Sequence, residues 1–254
     1  MVVEFETDQR LAIITLNRPE ARNAVNGDVA QGLEAALDRY EADPDLWAAI
    51  LTANGKAFCA GADLKEIAAG RAQLLTTAKG GFAGIVSRAR TKPLIAAIAG
   101  SALAGGTEIA LACDLIVCSE ETVFGLPEVK RSLVAGAGGL FRLPRAIGMA
   151  PALEVIMTGD PLPAARAHQL GMVNQVVPTD QVLGAARALA ARVIANAPLA
   201  VRASRAIALR AFVDDDPELF RASGVGFAEI ANTEDFKEGP RAFIEKRAPR
   251  WTGR

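Results

Sequence analysis

KPLIAAIAGSALAGGTEIALACDLIVCSE, residues 92–120, decides how the chain folds. Leu94–Ala99 is an apolar run of strand length, Ala104-Gly105-Gly106 is a turn, Glu108 falls in the first turn of the helix that follows, and Asp114–Ser119 is a second apolar run. Strand, glycine turn, helix and strand make an α/β unit. Leu11–Leu16 and Trp47–Thr52 are runs of the same kind, and between them Val25, Val29, Leu33, Leu37 and Tyr40 fall on one helical face. This alternation predicts an α/β core over about residues 1–190. Past Pro178 the pattern turns helical: Val182, Leu183, Ala186, Leu189, Ala190 and Val193 mark one helix and Pro198 opens another that runs to Leu209. Two more follow, near Glu218–Ile230 and Thr233–Phe243. Residues 191–254 therefore read as a helical segment. No low-complexity linker sets it apart, so it is expected to pack on the core or on a neighbouring subunit.

The 254 residues carry 28 basic and 29 acidic side chains, a net charge of −1, which excludes nucleic-acid binding by bulk charge. Apolar residues are 51% and charged ones 22%, enough to build a core. No stretch approaches the roughly 20 apolar residues of a membrane helix. The opening Met1-Val2-Val3-Glu4-Phe5-Glu6 is acidic where a secretory leader is basic, so a cytoplasmic location without membrane attachment is expected. Cys59, Cys113 and Cys118 lack paired spacing, and neither a disulfide framework nor a metal site is expected from them. His168, the one histidine, reads as a surface or capping residue.

Chemistry has two candidate turns. In Ala57-Phe58-Cys59-Ala60-Gly61-Ala62-Asp63-Leu64-Lys65, Asp63 caps the coming helix and leaves the amides near Ala62 free to face a ligand. In Ala104-Gly105-Gly106-Thr107-Glu108 the glycines allow a substrate close to a helix N-terminus. Two such amides aimed at one oxygen form an oxyanion hole, although each turn alone also reads as an ordinary strand-to-helix connection. Glu108, and Glu128 after Pro127, suit the first helical turns in which they lie, yet two carboxyls beside that hole would hold a water between them. Ala135-Gly136-Ala137-Gly138-Gly139 lacks the Gly-Lys-Ser/Thr ending of a phosphate loop and reads as close packing, or as an amide pointed at a carboxylate. Arg22, Lys65, Lys246 and Arg247 read as solvated charges or as phosphate contacts.

Leu16-Asn17-Arg18-Pro19 with Asn23-Ala24, AFCAGADLKE from Ala57, the stretch quoted above, FGLPEVK from Phe124 and GAGGLFRLPR from Gly136 together resemble the enoyl-CoA hydratase (crotonase) superfamily, collinearly from residue 11 to the C-terminus. The resemblance implies a spiral of repeated ββα units with a helical C-terminal trimerisation segment, and acyl-CoA thioesters as ligands. It places the oxyanion amides at Ala62 and Gly105 and the acid/base pair at Glu108 and Glu128. It gives Gly136 the task of orienting the second glutamate. Arg22, Ala24, Ala60 and Leu64 match positions lining the CoA and acyl sites, next to Asp63, and Lys65 resembles a residue near the nucleotide end. A homotrimer or a pair of trimers is implied, with the tail, including Lys246, near a neighbour's CoA site. Ala104 stands where a third glycine is common and Ala99 where asparagine is usual, changes expected to affect packing only. Leu140 and Phe141 replace smaller residues and bear on the acyl pocket.

The reaction so implied is hydration of a 2-enoyl-CoA, with no cofactor beyond the CoA carried by the substrate. The alternatives are a carnitinyl-CoA dehydratase-like activity, an enoyl-CoA isomerase and a non-catalytic acyl-CoA-binding protein. Retention of both glutamates argues against the last two. The tail around Glu238–Phe243 resembles that of carnitinyl-CoA dehydratases, among others.

Overall fold

The apolar runs form the spine of a six-stranded sheet in a computed structural model that describes residues 1–254. In chain order the strands are β1 (Val3–Asp8), β2 (Leu11–Leu16), β3 (Ala48–Ala53), β4 (Ala57–Cys59), β5 (Thr76–Thr77), β6 (Gly81–Phe82), β7 (Leu94–Ile98), β8 (Ser101–Leu103), β9 (Leu115–Ser119), β10 (Val123–Gly125), β11 (Leu162–Pro163) and β12 (Gln175–Val177). The helices are α1 (Gly27–Ala42), α2 (Leu64–Ala68), α3 (Gly105–Ala112), α4 (Gly139–Ile147), α5 (Met149–Thr158), α6 (Ala164–Gln169), α7 (Val182–Ile194), α8 (Pro198–Ala208), α9 (Asp216–Ala231) and α10 (Glu234–Ile244).

The large sheet runs β1-β2-β3-β7-β9-β12, parallel except for the β1–β2 hairpin. A smaller sheet runs β11-β10-β8-β4. Successive strand pairs β3/β4, β7/β8 and β9/β10 each give one strand to the large sheet and the next to the small one, and helices follow. This is the expected ββα spiral. Because both strands of each pair run the same way as their neighbours, the helix starts after β4 and β8 stack side by side.

The middle of the large sheet is covered on both faces, which is why β2, β3, β7 and β9 read as nearly continuous apolar runs, whereas edge strand β1 carries polar residues and is exposed in its second half. Ile14, Leu51, Ala96 and Cys118 point to the main core, while Ile13, Ile50, Ile95 and Val117 point to the other face. There α7 covers them with Val182, Ala186, Leu189 and Ala190. A division of the chain at 190/191 passes through that helix. The α1 pattern holds from Val29 to Tyr40, all buried. Val25 lies outside the helix, because the Asn26 side chain accepts the Val29 N–H (3.0 Å) and so starts it at Gly27; Val25 instead bridges to Ala62. His168 is a local brace, its Nδ1 2.8 Å from the Val173 carbonyl oxygen.

The C-terminal helices are tied back to the core by charge. Asp114, at the head of β9, accepts from Arg90 Nη1 (3.1 Å), Arg205 Nη2 (2.7 Å) of α8 and the Leu94 amide (2.8 Å). Burial raises the Asp114 carboxyl, but the two arginines outweigh it and hold the group below its ordinary value. Its stabilisation is therefore complete above the unfolded value of about 3.9 and fades as the pH falls through the lower folded value. Asp114→Asn leaves two arginines in a closed site and is expected to lower the unfolding free energy by about 3–5 kcal/mol in denaturant melts at neutral pH. The last residues fold back as a strap: Glu234 N–H donates to the Arg254 carbonyl (2.7 Å), Asp235 takes the amides of Thr252 and Gly253, and Trp251 Nε1 donates to Ala195 O (2.8 Å). No single helix is long and apolar enough to cross a membrane.

Candidate active site

The first turn is held by residues 22–25. Ala60 N–H donates to Arg22 O (3.1 Å), Val25 N–H to Gly61 O (2.8 Å) and Asp63 N–H to Val25 O (2.9 Å). In such a bridge alternate peptide groups face the partner strand. The Ala62 amide therefore faces away from Val25 and has no acceptor in the protein. Asp63 caps α2 through the Lys65 amide (3.0 Å) and its other oxygen takes Arg18 Nη1 at 2.7 Å. Asn23, fully buried, accepts the Arg18 amide and donates to Asn54 O and Ala57 O. Arg18 and Asn23 thus fix this turn from outside, and neither was legible as a support from the spacing of letters.

The second turn abuts the first. A Cβ placed on Gly61 would lie 3.0 Å from the Gly105 nitrogen, and one on Gly105 would lie 3.2 Å from Gly61 Cα and 2.5 Å from Phe82 Cε1. The Gly105 amide, at the first position of α3, has no acceptor either. Thr107 bolts α3 in place, its hydroxyl donating to Ala102 O (2.7 Å) and accepting the Gly125 N–H (3.0 Å). Ala104 was expected to alter packing only. It instead adopts φ 52°, ψ −126°, a region an L side chain resists and glycine enters freely, so the methyl replaces a glycine at a strained hinge next to the Gly105 amide.

Glu108 projects from α3 with 3% of its surface exposed. Its Oε1 accepts N–H groups from both Ala137 (2.7 Å) and Gly139 (2.9 Å), which leaves Oε2 free. This corrects the expectation for Gly136: its amide has no acceptor, and the loop orients Glu108 rather than Glu128, through its neighbours at 137 and 139. The reason lies in Gly138, whose φ of +105° turns the chain so that the flanking amides converge on one oxygen.

Glu128 sits on the short helical turn Pro127–Arg131, and its Oε2 is buried without a partner. Gly139 packs between Leu126, at the head of that turn, and the Glu108 stem, which brings the two carboxyls to one place. Burial raises both above the ordinary carboxylate value. For Glu108 the two amides and Arg142 oppose the rise; for Glu128 its own amide and Arg131 oppose it while the charge of Glu108 adds to it. Glu108 thus has hydrogen-bond donors that favour its ionised form, whereas the Glu128 Oε2 has none and faces the Glu108 charge.

Arg22, Ala24, Ala60, Asp63, Leu64 and Lys65 lie together on the first turn and the strip that holds it, with Arg22, Leu64 and Lys65 exposed. Lys246 lies apart, in a left-handed turn after α10, with no hydrogen bond or ion pair to these turns. Leu140 and Phe141 stand at the surface beyond the Glu108 loop, Phe141 flanked by Arg142 and Arg145 at 5.2 and 5.4 Å from its ring.

Two free amides on touching turns, beside two buried carboxyls in different hydrogen-bonding surroundings, define a class of enzyme that polarises a carbonyl and moves protons next to it. The chain belongs to the enoyl-CoA hydratase/isomerase family, whose model it matches over residues 6–254. It is 43% identical over 250 residues to a probable enoyl-CoA hydratase of Mycobacterium bovis, covering 98% of this chain and 97% of that one. It is 41% identical over 247 residues to a carnitinyl-CoA dehydratase of Salmonella typhi, covering 95% and 94%. The crystal structure of an enoyl-CoA hydratase from Mycobacterium tuberculosis superposes with a TM-score of 0.96 at 48% identity, over 100% of this chain and 99% of that chain. The family and the spiral fold expected from the sequence are borne out.

Proposed function

We propose that the protein is an enoyl-CoA hydratase, which adds water reversibly across the C2–C3 double bond of a 2-enoyl-CoA thioester. The observation that carries this reading is the pair of acceptor-free amides, Ala62 and Gly105, on turns that touch beside Glu108 and Glu128. The amides take the thioester oxygen and stabilise the negative charge that develops on it as water adds. Glu108, its Oε1 pinned by two amides, presents Oε2 to the water and accepts its proton as the water oxygen bonds to C3. The electron pair of the double bond moves into the enolate, and C2 takes a proton from Glu128. Proton exchange between the two carboxyls restores the starting state. The remaining residues of the first turn, Arg22, Ala24, Ala60, Asp63, Leu64 and Lys65, lie where the CoA portion would approach it, and Gly136 belongs to the loop behind Glu108.

The carbonyl is polarised by the main chain and the protons move on glutamates, so the reading requires no cofactor or metal beyond the CoA in the substrate. Crotonyl-CoA should lose its enoyl absorbance and gain the mass of one water, at the same rate after extensive dialysis against EDTA. Turnover without mass change would favour an isomerase, no reaction a binding protein, and a metal-restored activity would overturn the mechanism. Identity to a carnitinyl-CoA dehydratase makes a dehydration substrate the second reading, tested by including carnitinyl-CoA in the same panel.

The functional form is read as a homotrimer or a pair of trimers assembled through residues 191–254. Phe212, Phe220, Phe227, Phe243 and Ile244 of this segment are largely exposed, large apolar side chains that a neighbouring subunit would cover. In that assembly Lys246 of one subunit would serve a neighbour's CoA.

A further inference from the structure

The loop that grips Glu108 is itself gripped. Arg142, half-buried in the first turn of α4, donates from Nη1 to the Ala137 carbonyl (3.3 Å) and from Nη2 to the Val86 carbonyl. Ala137 therefore sits in a chain, its C=O accepting from Arg142 and its N–H donating to Glu108. The guanidinium also occupies the space over the bare Cα of Gly138: a Cβ there would lie 2.1 Å from Nη1 and 3.1 Å from Cζ. Val86 belongs to the segment leading into β7, so the fork ties the loop to a part of the chain distant in sequence.

We propose that Arg142 is a positioning residue for the hydration reaction: through Ala137 it holds the two amides that fix Glu108, and so sets where the free Glu108 oxygen points. The proposal rests on reading Glu108 as a catalytic carboxylate. A planar guanidinium suits the task, because two N–H groups in fixed geometry reach two carbonyls at once, which an ammonium does not reproduce. Its charge also acts on Glu108, lowering the proton affinity that burial raises. The other charged or titratable groups around this pair are Glu128 and Arg131 on the 127–131 turn, Arg145 on α4, and Arg90 and Cys113 behind Arg142.

The test compares wild type, Arg142→Met and Arg142→Lys. Crotonyl-CoA hydration is followed across pH, butanoyl-CoA binding by calorimetry, thermal unfolding by circular dichroism, and the Glu108 carboxyl by NMR of glutamate-labelled protein, assigned with Glu108→Gln. Arg142→Met should lower kcat by on the order of 10–100-fold, the scale of a small misplacement of a catalytic group, while KM and butanoyl-CoA affinity stay within about 3-fold. Its acid limb, and the Glu108 titration, should move to higher pH. Arg142→Lys should return the limb towards wild type and restore kcat only in part. Wild-type kcat and acid limb in Arg142→Met, or a loss seen only as a lower melting temperature, would overturn the proposal; if Arg142→Met does not fold, wild-type kcat in Arg142→Lys does so. A wild type that fails to hydrate crotonyl-CoA strikes the hydratase reading, and the Glu108 titration still decides whether Arg142 governs that carboxyl.

Discussion

Glu128→Gln is expected to lower kcat for crotonyl-CoA hydration by about 10²–10⁴-fold, the usual worth of a positioned acid or base, with butanoyl-CoA affinity near wild type. The amide keeps the carboxyl's shape but carries no proton to deliver to C2. Glu108→Gln should fall in the same range, because its oxygen still accepts the Ala137 and Gly139 amides while the face turned to water loses its base. The pair also sets the pH profile. In the hydration direction Glu108 must be ionised, and burial lifts it above its ordinary value, so activity should drop on the acid side above the usual carboxylate range of about 4.3. Glu128 must hold its proton, and burial with the nearby Glu108 charge extends that hold to higher pH before activity declines again. The two limbs belong to the coupled pair rather than to either residue. Near-wild-type turnover in both glutamine variants would sink the mechanism.

Gly105→Ala is expected to cost about 10²–10³-fold in kcat/KM, comparable with removing an oxyanion donor. The new methyl meets the Phe82 ring edge at 2.5 Å and the backbone of Gly61 at 3.2 Å, so it wedges apart the turns whose amides must converge. Phe82 is a half-buried side chain on a two-residue strand and can be removed, whereas Gly61 is main chain. Phe82→Ala combined with Gly105→Ala should therefore recover part of the loss. Equal activity in the single and double variants would show that Phe82 is not the obstacle. Wild-type activity in Gly105→Ala would show that the alignment of the turns does not matter.

The middle of the large sheet was legible because burial on both faces leaves β2, β3, β7 and β9 almost wholly apolar; Leu11–Leu16 matches its strand at both ends. The small sheet was not. Its strands β4, β8 and β10 have three residues each, too few for a period, and the β5–β6 hairpin has two on each side. The carboxyls and the two turns were readable, since Glu, Gly and Asp announce themselves. An amide pointed at a carboxylate was one reading of residues 135–139, but which amides and which carboxylate were not legible, because the donors are peptide groups whose aim is set by φ at Gly138, a quantity the letters around it do not encode. For the same reason Gly136 drew attention that belongs to Ala137 and Gly139. The strain at Ala104 was hidden in a conservative-looking Gly-to-Ala difference.

The acceptor-free amides of Ala62 and Gly105 have an evolutionary corollary. Every amino acid except proline supplies an N–H, so among single-base changes only Ala62→Pro deletes one of these donors, and other drift acts on them through the shape of the turns. The glutamates, by contrast, are each one base substitution from a lysine, glutamine or glycine codon. On the proposed mechanism, the carbonyl-polarising half of the site is therefore the more durable half. Descendants of such a chain that lose or exchange a carboxyl keep a ready-made site for enolate chemistry, on which new proton donors can be tried one residue at a time.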